Sequence, residues 1–174
     1  AALRQLTDKG VKIVALMEDV AASGGLYAAL AADWIVANSG TMTGSIGVIA
    51  RAPQLSRLLN SLGIGMTTIK SGIYKDSLSP TREITDEELA LWQSVIDDAH
   101  EQFCRTVSLR RNIPLSRVKL FADGRIMTGA QAQNCGLVDE IVVVNNNASP
   151  GTDEEVKKTR AKLVYEKKQG YGYA

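Results

Sequence analysis

The feature that most constrains the fold is Val11–Met17 (VKIVALM), an apolar, β-rich run lying directly after the helix-stopping Gly10. Such a run argues a buried strand of a parallel sheet. Ala22–Ala32 (ASGGLYAALAA) then opens with small residues and continues as a good helix former, and Trp34–Ala37 reads as a short strand. Asn38–Gly47 reads as a Gly/Thr/Ser loop. Leucines at 55, 58, 59 and 62 give Pro53–Leu62 a helical face, with proline near its first turn. Met66–Ile69 is a further strand candidate, followed by the polar segment Lys70–Arg82.

Thr85–Asn112 is the clearest element. Thr85 and Glu88 have capping-box spacing, and Leu89, Trp92, Val95, Ile96, Ala99 and Phe103 form one apolar stripe. A helix near Ser116–Ala122, a strand at Arg125–Met127, a helical turn at Ala130–Asn134 and a strand at Leu137–Val144 complete the pattern. Strands alternating with helices at this pitch predict an α/β domain on a parallel sheet. With 174 residues the chain holds one domain with a real core. The expected division is a partial catalytic domain over 1–144 and a C-terminal extension over 145–174. In the extension a short helix, a strand at Lys162–Tyr165 and a loose Gly/Tyr end are expected. Ala1–Lys9 reads as the end of an amphipathic helix, so the chain is expected to be a piece, or a processed form, of something longer.

The net charge of +1 leaves no strong field to draw in nucleic acid. Val20–Leu30 is too short to span a bilayer. One histidine, His100, sits inside the long helix, where it needs no special role, and nothing brings it near a Gly-rich turn as a Ser-His-Asp triad would require. One histidine and two scattered cysteines, Cys104 and Cys135, cannot build a zinc site, and no cofactor is expected.

What remains is a serine in a special setting. Ser23 follows a buried strand and precedes Gly24-Gly25 and a helix. Glycines allow a sharp turn and close approach of a substrate. A helix start offers unpaired N–H groups, which is what an oxyanion hole needs. The same residues also suit a phosphate-binding turn or a tight helix start. A nucleophilic serine needs a base, and without histidine the candidates are lysines and carboxylates. A lysine serves only when neutral, so burial must lower its pKa. Lys75 and Lys70, both in Lys70-Ser-Gly-Ile-Tyr-Lys-Asp76, fit this role, and both also fit as solvated loop lysines.

Several segments resemble the signal peptide peptidase A family in order and spacing. They are Ala21-Ala-Ser-Gly-Gly-Leu-Tyr-Ala28, Ala32-Asp33, Thr41-Met-Thr-Gly-Ser-Ile-Gly-Val48, the Lys70–Asp76 segment and Ser79-Pro-Thr-Arg-Glu83. Ala122-Asp-Gly-Arg-Ile126, Thr128-Gly-Ala-Gln-Ala132 and Gly136-Leu-Val-Asp-Glu140 continue the match, which covers roughly 1–141. The resemblance implies a Clp-protease/crotonase-like spiral of ββα units, with the N-terminal part of that fold missing from this chain. It implies Ser23 as nucleophile, Lys75 rather than Lys70 as general base, and Ser45 beside the lysine amine.

Within such a family the dyad is shared between neighbouring subunits of a homo-oligomer. A membrane anchor, absent from this chain, holds the enzyme with its catalytic domain periplasmic or extracellular, cutting hydrophobic peptides such as remnant signal peptides. The family also has an upstream Pro-Gly-Gly-type turn giving a second oxyanion donor. Without it the Gly24 or Ser23 N–H stands alone, and one lost donor costs about 10²–10³ in rate. The rival readings are a catalytically silent scaffold of a membrane complex and a crotonase-like acyl-CoA enzyme.

Overall fold

The computed structural model describes residues 5–6 and 9–142. The expected elements of 145–174, the end of the Leu137–Val144 strand and most of Ala1–Lys9 lie outside those residues. In chain order the elements are β1 (Val14–Met17), α1 (Gly24–Ala29), β2 (Trp34–Asn38), β3 (Met42–Gly44), α2 (Ser56–Ser61) and α3 (Asp86–Arg111). Then come α4 (Leu115–Val118), β4 (Ile126–Thr128), α5 (Gly129–Cys135) and β5 (Glu140–Val142). The described residues form two compact units. One comprises the residues up to Ile46 together with those from Cys104 onward, and the other is Gly47–Phe103. No helix among the described residues is long and apolar enough to cross a membrane.

The first unit carries the expected parallel sheet, in the order β1-β2-β5, with Val14 opposite Trp34 and Val36 opposite Glu140. An aspartate starts each later pairing. Asp33 accepts the Ile13 N–H on its carboxylate at 2.9 Å and donates its own N–H to Ile13 O. Asp139 repeats the arrangement one strand further on, accepting the Ile35 N–H at 2.7 Å and donating to Ile35 O. Leu26, Leu30, Ile35, Val36, Val107, Val118 and Leu137 are fully buried. Each large apolar side chain removed from water contributes about 1.5–3 kcal/mol, so this cluster dominates the unit's stability. Arg110 donates to Leu30 O and Ala31 O, meeting carbonyls that the end of α1 leaves open. Arg111 reaches Gly136 O and forks onto Asp139.

Several expectations are corrected here. Asn38–Gly47 is not wholly a loop, because Met42–Gly44 forms β3 and pairs antiparallel with β4. Its threonines hid it. Thr41 and Thr43 are buried, yet their hydroxyls bond to backbone: Thr41 to Met17 O and Glu18 O, Thr43 to Ala21 O at 2.7 Å. In the second unit Met66–Ile69 is not a strand. That unit contains no strand to pair with it, and Met66 and Ile69 stand 58% and 96% exposed. The leucine-bearing helix starts at Ser56 rather than Pro53, and Leu55, Leu58 and Leu62 are exposed. The stripe of α3 is only partly used, with Phe103 buried but Leu89 and Val95 about half exposed. Its capping box is formed as expected between Thr85 and Glu88.

A third capping device was not anticipated. Thr128 and Gln131 make a reciprocal box at the start of α5, which brings Gly129 hard against the end of β2. A Cβ on Gly129 would sit far inside the van der Waals contact distance of the Asn38 carbonyl oxygen, with Ala37 Cβ at 3.2 Å. Backbone cannot give way as a flexible side chain can. Gly129→Ala is therefore expected to cost about 1–3 kcal/mol, lowering Tm by about 3–10 °C in a chain of this size. Gly40→Ala, where a Cβ meets nothing within 4 Å, is the control and should leave Tm in place. Equal melting of the two variants would refute the close approach.

Candidate active site

Ser23 stands between strand and helix with φ 51° and ψ −114°, a conformation that costs a non-glycine residue about 1–3 kcal/mol. The surrounding ladder enforces it. Met42 N–H donates to Asp19 O, Ala21 N–H to Met42 O, and Ser23 N–H to Gly44 O at 2.8 Å. The segment Asp19–Ser23 thus runs along β3 as a parallel extension, tightened by the Thr43 hydroxyl on Ala21 O. The Ser23 side chain makes no capping hydrogen bond to α1 and is half-buried, so its hydroxyl is left to other work. Because the Ser23 N–H is engaged, Gly24 at the first position of α1 is the remaining donor of the two considered.

Gly44, which holds Ser23, is itself fixed. It takes φ 78°, and a Cβ there would meet Arg125 O at 2.9 Å and Met127 Cγ at 3.0 Å. The next residue, Ser45, has φ 52° and donates its N–H to Arg125 O at 2.7 Å. Two serines in left-handed backbone therefore sit on adjoining rungs of one ribbon, Ser23 bonded to Gly44 and Ser45 following it. The sequence reading named both residues. It missed their backbone strain, since only the long-range pairing of β3 with β4 imposes it.

Lys75 belongs to the second unit. It lies in a run of tight turns, in which Lys75 N–H donates to Gly72 O, Ser77 N–H to Tyr74 O and Ser79 N–H to Asp76 O. Trp92 Nε1 of α3 donates to Ser77 Oγ at 3.2 Å and ties the run to the helix. The Lys75 side chain is exposed. Its rival is occupied: Lys70 Nζ donates to Asp76 Oδ1 at 2.6 Å and to Ile73 O at 2.8 Å. Asp76 also takes two bonds from Arg82, and Arg82 in turn bonds the buried Glu88. Arg82 and then Lys70 hold the Asp76 carboxyl well below the usual carboxylate range. Arg82 and the Thr85 N–H hold Glu88 down at about 2. His100 is half-buried on α3, and neither Cys104 nor Cys135 is in a disulfide.

The model of Peptidase family S49 matches residues 5–157, nearly nine-tenths of the chain. The chain belongs to peptidase family S49. Several of its relatives carry protease names. "Putative protease slr0021" of Synechocystis is 47% identical over 162 residues, covering 93% of this chain and 55% of that one. "Putative signal peptide peptidase SppA" of Enterococcus faecium is 38% identical over 164 residues, covering 94% and 47%. "Serine protease SPPA, chloroplastic" of Arabidopsis thaliana is 38% identical over 130 residues, covering 74% and 19%. The chain spans about half the length of the first two. Among solved structures, a "Putative enoyl-CoA hydratase/isomerase family protein" of Hyphomonas neptunium overlays with TM-score 0.45 at 20% identity, covering 94% of this chain and 43% of that one, too loose a likeness to bear on substrate. The S49 motifs of this chain divide by use. Asp33, Asp139, Thr128 and Gly129 build the sheet and its joints, whereas Ser23 and Ser45 share one strained ribbon and Gly24 opens the helix beside it.

Proposed function

We propose that this S49 chain is the catalytic part of a serine peptidase working with a Ser/Lys dyad. The observation that carries the reading is Ser23, held at positive φ at the head of α1 with a hydroxyl that caps nothing. Strain kept at a strand-to-helix turn is the device by which other serine hydrolases present a nucleophile. In this reading Ser23 attacks the scissile carbonyl, Lys75 accepts the serine proton and returns it to the leaving amine, and Ser45 orients the lysine amine. The Gly24 N–H faces the charge that develops on the carbonyl oxygen. The ion pair of Lys70 with Asp76 favours Lys75 over Lys70 as the base.

A lysine serves as general base only as the neutral amine, which calls for a site shielded from water, and the Lys75 side chain is exposed here. In this reading a bound peptide or a neighbouring copy supplies the cover, in keeping with the homo-oligomer of shared dyads that the resemblance implies. The substrates we assign are hydrophobic peptides such as remnant signal peptides, met by a membrane-associated enzyme with its catalytic domain outside the cytoplasm. Both rest on the signal peptide peptidase resemblance, and the printed name of the Enterococcus faecium relative supports the substrate class.

Mixing tests the arrangement. Full-length chains carrying Ser23→Ala and full-length chains carrying Lys75→Ala are each inactive alone. Co-assembled, they regain part of the activity, because some interfaces pair an intact Ser23 with an intact Lys75. Mixed oligomers, verified by native mass measurement, that stay inactive would rule out sharing.

A further inference from the structure

We propose that Arg82 is a positioning residue for the general base, the centre of an ion-pair chain Lys70–Asp76–Arg82–Glu88 that fixes the turn bearing Lys75. The inference rests on the dyad reading above and adds to it what sets the lysine's aim. Asp76 is the residue after Lys75, so whatever holds the Asp76 side chain fixes the backbone from which Lys75 projects. Three groups converge on it: Lys70 Nζ at 2.6 Å, Arg82 Nη2 at 2.8 Å and Arg82 Nε at 3.0 Å. A guanidinium fork meeting a carboxylate with two bonds sets orientation as well as distance, which a lysine in its place cannot do.

The other end of the chain is anchored in a helix. Arg82 Nη1 donates to Glu88 Oε2 at 2.8 Å and Nη2 to Glu88 Oε1, and Glu88 accepts the Thr85 N–H as half of the α3 capping box. Glu88 is 3% exposed, and Asp76 and Arg82 are half-buried, so the chain is better shielded than a surface pair and its geometry is held. The start of a 26-residue helix is thereby coupled through one arginine to the residue beside Lys75. The shallow cavity of about 340 Å3 alongside is lined by Lys70, Arg82 and Glu88, whose charges are matched within the chain, and by Glu87. That pairing favours a brace over a ligand site.

The test compares Arg82→Ala, Arg82→Lys and Glu88→Gln in the full-length peptidase, with Lys75→Ala in the same series. A misaimed catalytic group costs on the order of 10²-fold in rate. Arg82→Ala should therefore lower kcat by about that factor while KM moves by less than about twofold. The ascending limb of its pH–rate profile should move upward, because the turn no longer carries the amine into the covered site that the dyad reading requires. Arg82→Lys should recover only part of the rate, because an ammonium cannot bond both carboxylates in plane. Glu88→Gln keeps the shape of the cap and should give an intermediate loss with the same upward movement.

If Arg82→Ala does not fold, Arg82→Lys and Glu88→Gln carry the decision by the same two readouts. Folded Arg82 and Glu88 variants with wild-type kcat, or with lost rate and an unmoved limb, would overturn the positioning role while an inactive Lys75→Ala left the dyad standing. An active Lys75→Ala would overturn the dyad, and the brace with it.

Discussion

Ser23→Ala is expected to bring peptide hydrolysis below about a hundredth of the wild-type rate while the chain still folds and assembles, since loss of a nucleophile leaves only the residual stabilisation of binding and the oxyanion donor. The substitution removes one hydroxyl that makes no bond to α1, and it leaves the ladder from Asp19 O to Gly44 O in place. A second substitution at the same position separates chemistry from strain. Ser23→Gly should be equally inactive but more stable than Ser23→Ala, by about 1 kcal/mol or more, because glycine adopts φ 51° without penalty. Hydrolysis of a hydrophobic peptide and thermal melting read the two effects independently. An alanine variant retaining more than a hundredth of the activity would remove Ser23 from the mechanism.

Lys75→Ala should be as damaging, and Lys70→Ala far milder. Lys75→Arg should not rescue, because a guanidinium stays protonated at any working pH. The sign of the pH dependence follows from the role: the active form is the neutral amine, so the rate rises with pH through the pKa of the assembled site. That ascending limb should lie well below the free-lysine value of about 10.4. Removal of Lys70 takes away one of the groups on Asp76, but Arg82 keeps its two bonds there, so the turn survives. If Lys70→Ala were the inactive variant, the base would be Lys70 and the ion pair seen here would have to open during catalysis.

The residues that could be read from sequence are those whose signal is local. The apolar run at Val11–Met17 gave β1, although only Met17 of it is buried, the spacing of Thr85 and Glu88 gave the α3 cap, and the small residues after Ser23 marked the start of α1. β3 was not readable, because Thr41 and Thr43 look like loop residues until Met17, Glu18 and Ala21 supply carbonyls for their hydroxyls. The strain at Ser23 and Ser45 was hidden for the same reason, since the bonds that enforce it come from Gly44 and Arg125. Met66–Ile69 failed in the opposite way. Its composition favours a strand, but β propensity is realised only beside a partner, and the second unit offers none.

The ladder beneath Ser23 also governs when the chain can acquire its function. Ser23 is held by Gly44, and Gly44 by the pairing of β3 with β4, whose residues lie roughly eighty positions further along. Contacts of such separation form late, after loop closure across the intervening segment has been met. Emerging from the ribosome, the N-terminal portion has its serine in sequence but not in shape, free to relax to ordinary backbone angles. In the proposed mechanism Ser23 takes its strained angles only once Ile126–Thr128 has docked, so a nascent or broken chain would carry the serine without the shape that the mechanism asks of it.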